Sequence, residues 1–418
     1  MHPADLFVGL HANDSNAFWL DRETNLDEHF SVIGASGKVI EAENFDWLGN
    51  QLASQELLEL PFSFRPGYVG FIDYEGKSKF LHVDRALVLD HDGQQIYFIG
   101  DFDSHEKFEY WHHAALLRIG VSGGEQAMYK LKNPALLAKS ARVRHSDFEY
   151  LRLIADTQKH IAAGDVYQLC LTNEISLDVT GNALHTFLKL RETNPAPYSS
   201  YLRIGNLELV CCSPEQFIRA SALGQISSKP IKGTRPRHQD PVADTEAADE
   251  LRNNEKERAE NLMIVDLMRN DFGRVADADS VTVPKIFDVE SYASVHQLVS
   301  TVEARLAPGK TVVDALISAF PGGSMTGAPK HRAMEIIRDL EAGERGVYSG
   351  VMGYLTHGGV AEFCMVIRTL VVNGAKASIG VGGGITIDSQ PEAELQETKI
   401  KARALLAALQ ASDPWANW

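Results

Sequence analysis

The chain has 418 residues, with 40 basic and 56 acidic side chains and a net charge of −16. That charge disfavours nucleic acid and anionic membranes, and an anionic ligand needs local positive charge or a metal to hold it. Hydrophobic residues at 44% and charged residues at 23% are the balance of a globular protein with a substantial core, in one large or two ordinary domains. Cys170, Cys211, Cys212 and Cys364 show no metal-binding spacing, no signal-peptide pattern follows Met1, and no apolar run reaches membrane-spanning length. A reducing, cytoplasmic setting is therefore expected.

Residues 1 to about 135 read as β-rich, with short apolar runs such as Ala17–Leu20 and Gln95–Ile99 and a turn entering a strand over Arg65–Ile72. Periodicity weakens from Gly120 to Ala138, which marks a boundary between an N-terminal region, 1–135, and a second domain, 136–418. The passage is too apolar for a free linker, so the halves are expected to pack intimately. Ser146 and Glu149 form a capping-box pattern that opens a helix carrying Leu151, Ile154 and Ile161 and ending at Gly164-Asp165. A strand over 166–179 follows. Further helices are predicted over 245–269, over Pro329–Leu340 with Pro329 at the first helical position, and from about Pro391 with an apolar stripe from Leu395 to Leu409. The block between the last two is strand-rich, punctuated by His357-Gly358-Gly359 and by Asn373-Gly374, a type I′ hairpin signal. Strands joined by tight turns make antiparallel sheets, so the fold class is α+β rather than doubly wound.

Lys232 lies in Pro230-Ile231-Lys232-Gly233-Thr234-Arg235, a short segment stiffened by proline. Its amine can serve as a nucleophile if its pKa is lowered, or as an anion anchor if it stays cationic. Glu257 and Glu260 share one helix face, and Glu394 and Glu397 repeat the spacing on the last helix. Such an oxygen-rich set suits Mg²⁺; two solvated faces laced with salt bridges to Lys256, Arg258 and Lys399 are the alternative. The turn Pro321–Lys330 and the run Gly380–Gly384 suit close approach of a ligand to backbone, or are simply tight turns. Glu215 follows an apolar strand and is either a general acid in a cleft or an exposed carboxylate. Arg368, inside the apolar stretch Phe363–Leu370, requires a ligand carboxylate or a buried salt bridge.

Together these strings resemble the chorismate-utilising enzymes, the family of anthranilate, aminodeoxychorismate, isochorismate and salicylate synthases. The resemblance runs from about 145 to 410 through Gly164–Gln168, Ser213-Pro214-Glu215, Pro230–Arg235, Ala259–Asp271, Phe320–Lys330, Gly382–Ile385 and Glu394–Thr398. Residues Phe18–Asp21 and Gly67–Gly70 extend it more weakly. It implies a fold of large antiparallel sheets with outer helices, chorismate as substrate, and Mg²⁺ held by Glu260 and Glu397 with Glu257 and Glu394 beside them. It places Arg368, Tyr348, Lys401 and the amides near Gly383 and Gly384 around the substrate carboxylates, with Thr326 in the lining loop.

Two positions separate the branches. Where the isochorismate and salicylate synthases carry a water-activating lysine after the motif tyrosine, this chain has Gln168, which disfavours water addition. Lys232 stands where the anthranilate branch has alanine and resembles the branch that aminates at C4, in which the lysine adds to C2 of chorismate and Glu215 protonates the departing hydroxyl. Gln297 replaces a histidine that the family often carries, with His296 one place earlier. That weakens a pyruvate-eliminating reading and raises the alternative of a catalytically weak paralogue. No glutaminase signature occurs, so the resemblance implies ammonia from a separate glutamine amidotransferase subunit.

Overall fold

The computed structural model describes residues 2–53, 59–122 and 133–416. Two large sheets carry the architecture, one of 11 and one of 10 strands. Every pairing between their strands is antiparallel, among them Gln168–Thr180 with Lys376–Ile385 and Ile231–Pro236 with Val295–Arg305. The fold is α+β, as the tight turns require.

N-terminal and C-terminal segments share both sheets. Asn16–Leu20 pairs with Tyr198–Ile204 in the first, and Gly67–Ile72 pairs with Val351–Thr356 in the second. Apolar side chains of both sheets, including Phe18, Leu209, Val69 and Met352, meet in one buried cluster, so the sheets pack face to face. Helices cover the outer faces: Ala183–Thr193 and the end of Pro391–Ala408 on the first, Glu255–Gly273 and Val312–Ala319 on the second.

Several elements follow the sequence pattern closely. Ser146 Oγ accepts from Glu149 N, and the Glu149 carboxylate accepts from Ser146 N, opening helix Asp147–Ala162. Strand Gln168–Thr180 comes next. The single helix expected over 245–269 is two, Pro241–Asn253 and Glu255–Gly273. Asn254 breaks it with an extended ψ of 114°, its side chain accepting from Glu257 N as the cap of the second helix. Pro329 is the N-cap of helix Lys330–Glu341 rather than its first residue.

The hairpin at 373–376 turns through Gly374-Ala375, with Asn373 already paired to Lys376. Only Gly374 takes a positive φ, 61°, the pattern of a type II′ rather than a type I′ turn. The β-rich N-terminal region also holds two helices that the pattern hid, Pro3–His11 and His105–Ser122. The first is short and capped by His2, whose Nδ1 accepts from Ala4 N; it buries Phe7 against Trp19 at 5.5 Å between ring centroids. Most of the expected boundary passage, residues 123–132, lies outside the described residues.

Candidate functional site

A large concave site is a cavity of about 550 Å³. Strand Ile231–Pro236, the glycine run of strand Lys376–Ile385, helices Glu255–Gly273 and Pro391–Ala408, and the loops at Glu215, Ser324 and Arg368 converge on it. It gathers Lys232, Glu215, Arg368, Tyr348, Lys401, Gly383, Gly384 and all four glutamates, Glu257, Glu260, Glu394 and Glu397.

Lys232 owes its position to an irregularity. The pairing of its strand with Val295–Arg305 shifts register between Ile231 and Thr234, and Gly233 adopts φ +80°. A glycine in the left-handed region beside a register shift is how a bulge re-aims a side chain. The amine sits 3.5 Å from Glu260 Oε2. Burial works to lower its pKa, but Glu260, Cys170, Glu215 and Glu397 outweigh burial and raise it. The resting amine is therefore an ammonium.

Glu215 is buried behind strand Leu207–Ser213 and accepts from Ser324 Oγ at 2.8 Å. Burial lifts its carboxyl pKa to about 7, against the opposing pull of Ser324, Lys232 and Lys401. Such a carboxyl is protonated at neutral pH about half the time, as a general acid requires. Ser324 lies in the turn Pro321–Lys330, but its pairing with Glu215 spans two distant segments and leaves no local signal.

Arg368 does not sit within a strand. It occupies the corner between Ala361–Met365 of one sheet and Thr369–Asn373 of the other, with φ +50°. A non-glycine residue held there is strained, and such strain clusters at functional sites. Among the described residues its guanidinium has no hydrogen bond or ion pair, and burial lowers its pKa. A carboxylate from a ligand would complete it.

The glycine run keeps the floor thin. A methyl on Gly384 would come within 2.2 Å of Gln168 Nε2 and 3.0 Å of Lys232 Nζ, and one on Gly380 would strike the Tyr348 ring at 2.0 Å. Gln168 is thus packed against Gly384, although it is not among the residues lining the cavity. Thr326 is not brought to the surface of the cavity either. Its hydroxyl donates to Gly322 O, and Ser324 and Met325 supply the lining instead.

Strand alternation separates His296 from Gln297. His296 is buried away from the cavity, with Nε2 3.0 Å from Asp244 Oδ1 and Nδ1 2.8 Å from Ser291 Oγ. Gln297 lines the cavity, and its buried Oε1 has no hydrogen-bond partner among the described residues. A one-residue offset in sequence is a change of face in a strand, so His296 does not substitute for a histidine at 297.

The acidic residues do not form two uniformly solvated faces. Glu260 and Glu394 are buried, while Glu397 stands at the mouth and pairs with Lys401 at 2.7 Å. Burial opposes the Glu397 charge, but Lys401, Lys256 and Lys232 carry its pKa below the ordinary value. Burial and the neighbouring Glu260 raise that of Glu257. Lys256 Nζ lies 3.7 Å from Glu260 Oε1 and 3.3 Å from Glu394 Oε1, an ammonium seated between carboxylates of two helices. Among the described residues no three acidic or other ligating side chains converge as an all-protein metal cage. A donor set of a few carboxylates open to water and ligand oxygens fits Mg²⁺.

The chain is similar to several known proteins. The aminodeoxychorismate synthase of Streptomyces griseus is 41% identical over 419 residues, 94% of this chain and 58% of that one. Aminodeoxychorismate synthase component 1 of Salmonella typhimurium is 39% identical over 78% of this chain and 69% of its own. The crystal structure of anthranilate synthase component I from Streptococcus pneumoniae superposes with a TM-score of 0.78 at 30% identity, covering 94% of this chain and 90% of that one. The chain spans a little over half the length of its Streptomyces griseus relative. Among the described residues no helix is long and apolar enough to cross a membrane. A family model described as chorismate binding enzyme matches residues 16–407, and the chain belongs to that family.

Proposed function

We propose that this protein aminates chorismate at C4 to give 4-amino-4-deoxychorismate, a step towards p-aminobenzoate and folate. The observation that carries the reading is the placement of Lys232 and Glu215 in one cavity, an amine beside a carboxyl with a pKa of about 7. Relatives named aminodeoxychorismate synthase support it. A glutamine amidotransferase would supply the ammonia, and four free, buried cysteines fit a cytoplasmic setting.

Arg368, Tyr348 and Lys401 hold the substrate carboxylates, with the amides of Gly383 and Gly384 behind them. Lys232 becomes nucleophilic only once Glu260 turns its charge elsewhere, because burial then favours the neutral amine and the ammonium releases its proton to solvent before the amine attacks. The amine adds to C2, both ring double bonds shift (to C1=C6 and C4=C5), and the C4 hydroxyl leaves as water with the proton of Glu215. Ammonia then adds at C4, both double bonds shift back, and the bond from C2 to Lys232 breaks. Glu215, left as a carboxylate, takes the proton that the new C4 ammonium sheds. Chorismate and ammonia thus become aminodeoxychorismate and water.

Glu260 and Glu397, with Glu257 and Glu394 beside them, would hold Mg²⁺, whose chemistry when bound is to neutralise a substrate carboxylate. Gln168 and Gln297 present no ionisable group to activate water or to protonate the enolpyruvyl side chain, so that side chain is retained.

The test is purified protein with chorismate, Mg²⁺ and an ammonium salt, with products separated by chromatography. Aminodeoxychorismate is expected. Anthranilate as the main product would assign the protein to the ortho branch, and chorismate binding without turnover would make it a weak paralogue.

A further inference from the structure

Lys256 differs from the other charged groups of the cavity. Its side chain is 52% exposed, whereas those of its partners Glu260 and Glu394 are 10% and 4% exposed. It lies one helical turn before Glu260 on helix Glu255–Gly273, and its amine reaches across to Glu394 on helix Pro391–Ala408. A long flexible stem therefore brings an ammonium from solvent into the gap between two buried carboxylates. Those carboxylates come from two different helices and repel each other by like charge, which Lys256 bridges while Lys232 offsets Glu260 from the other side.

We propose that Lys256 is a tethered cation: it holds the two carboxylate helices together while the site lacks a metal, and a divalent ion must displace it to bind. The inference rests on the reading of these glutamates as metal ligands. Lys256 is a positioning residue, because it acts on Glu260 and Glu394 and not on the substrate. An ammonium and a divalent ion cannot share the same carboxylate oxygens at close range, so the ion's affinity is set partly by the work of expelling the amine. Freed, the amine returns to solvent, which its exposure already permits.

Mn²⁺ binding followed by electron paramagnetic resonance, without substrate, tests this. Lys256→Met is expected to bind Mn²⁺ about tenfold more tightly than wild type. Lys256→Arg, which keeps the charge, should not gain affinity. Lys399→Met removes a lysine of the last helix that pairs instead with Asp147, and should change affinity less than about twofold if general charge is not responsible. Equal tightening in Lys256→Met and Lys399→Met, or none in Lys256→Met, overturns the proposal. Glu260→Gln serves to separate failures. If it abolishes Mn²⁺ binding while Lys256→Met leaves affinity unchanged, the tethered cation alone falls. If it leaves binding intact, the metal reading falls with it. A second measurement needs no variant: the acetylation rate of Lys256 in wild type, read by mass spectrometry, should rise several-fold when Mn²⁺ is added. An unchanged or slower rate sinks the displacement.

Discussion

Lys232 Nζ and Glu260 Oε2 stand 3.5 Å apart inside a cavity that both side chains line. The pair joins the candidate nucleophile to the acidic helix, so the charge on one sets the proton on the other.

Lys232→Ala should lose at least about a hundredfold in kcat for C4 amination. Chorismate affinity, followed by equilibrium dialysis, should fall much less, because Arg368 and Lys401 remain. With wild-type protein and no ammonia, mass spectrometry should detect chorismate attached to Lys232. An alanine variant that turns over normally would leave the lysine with an electrostatic role only.

Glu215 titrates at about 7, above the ordinary glutamate value. The proton needed for acid catalysis is present below that pH and lost above it, so kcat should fall about tenfold per unit at alkaline pH. Glu215→Gln should flatten this limb and lower kcat about a hundredfold or more. The same shift predicts a stability effect that runs the same way with pH. Because the folded pKa lies above the unfolded one, wild-type stability declines as pH rises from about 4.5 to 7. Thermal melts should therefore show Glu215→Gln more stable than wild type at pH 8 and similar to it near pH 4.5.

Gly384→Ala places a methyl against Gln168 Nε2 and Lys232 Nζ, the free ends of two side chains. These can yield, so the melting temperature should change little. The displaced amine should reduce kcat/KM about ten- to a hundredfold. A large stability loss with normal activity in the surviving fold would contradict this placement.

Arg368→Gly removes a strained φ of +50° together with a desolvated guanidinium that has no hydrogen bond or ion pair among the described residues. Denaturant titration should show the variant stabilised by about 1 kcal/mol or more. Chorismate binding should weaken at least tenfold, and Arg368→Lys should recover little of it, since a lysine lacks the planar fork.

The sequence disclosed the site wherever chemistry and spacing were local. Glu257 with Glu260 and Glu394 with Glu397 share faces by helical period alone, and Ser146 with Glu149 announced a helix start. What stayed hidden depended on contacts between distant segments. Whether Lys232 is neutral or cationic is set by burial against Glu260, Cys170, Glu215 and Glu397, which no reading of Pro230–Pro236 contains. The hydrogen bond from Ser324 to Glu215 and the bridging position of Lys256 required the fold. Arg368 looked like a strand residue because its neighbours are apolar, yet they are apolar on account of a corner between two sheets. Asn254 reads as an ordinary helical polar residue until its side chain is seen capping Glu257.

The shared sheets have a consequence for how the chain acquires its shape. Asn16–Leu20 waits for Tyr198–Ile204, and Gly67–Ile72 for Val351–Thr356. High contact order of this kind slows folding and leaves early strands unpaired during synthesis. The opening segments therefore emerge from the ribosome long before their partners. The cavity itself closes only when the last helix brings Glu394, Glu397 and Lys401 into place, so no shorter nascent chain holds a working site.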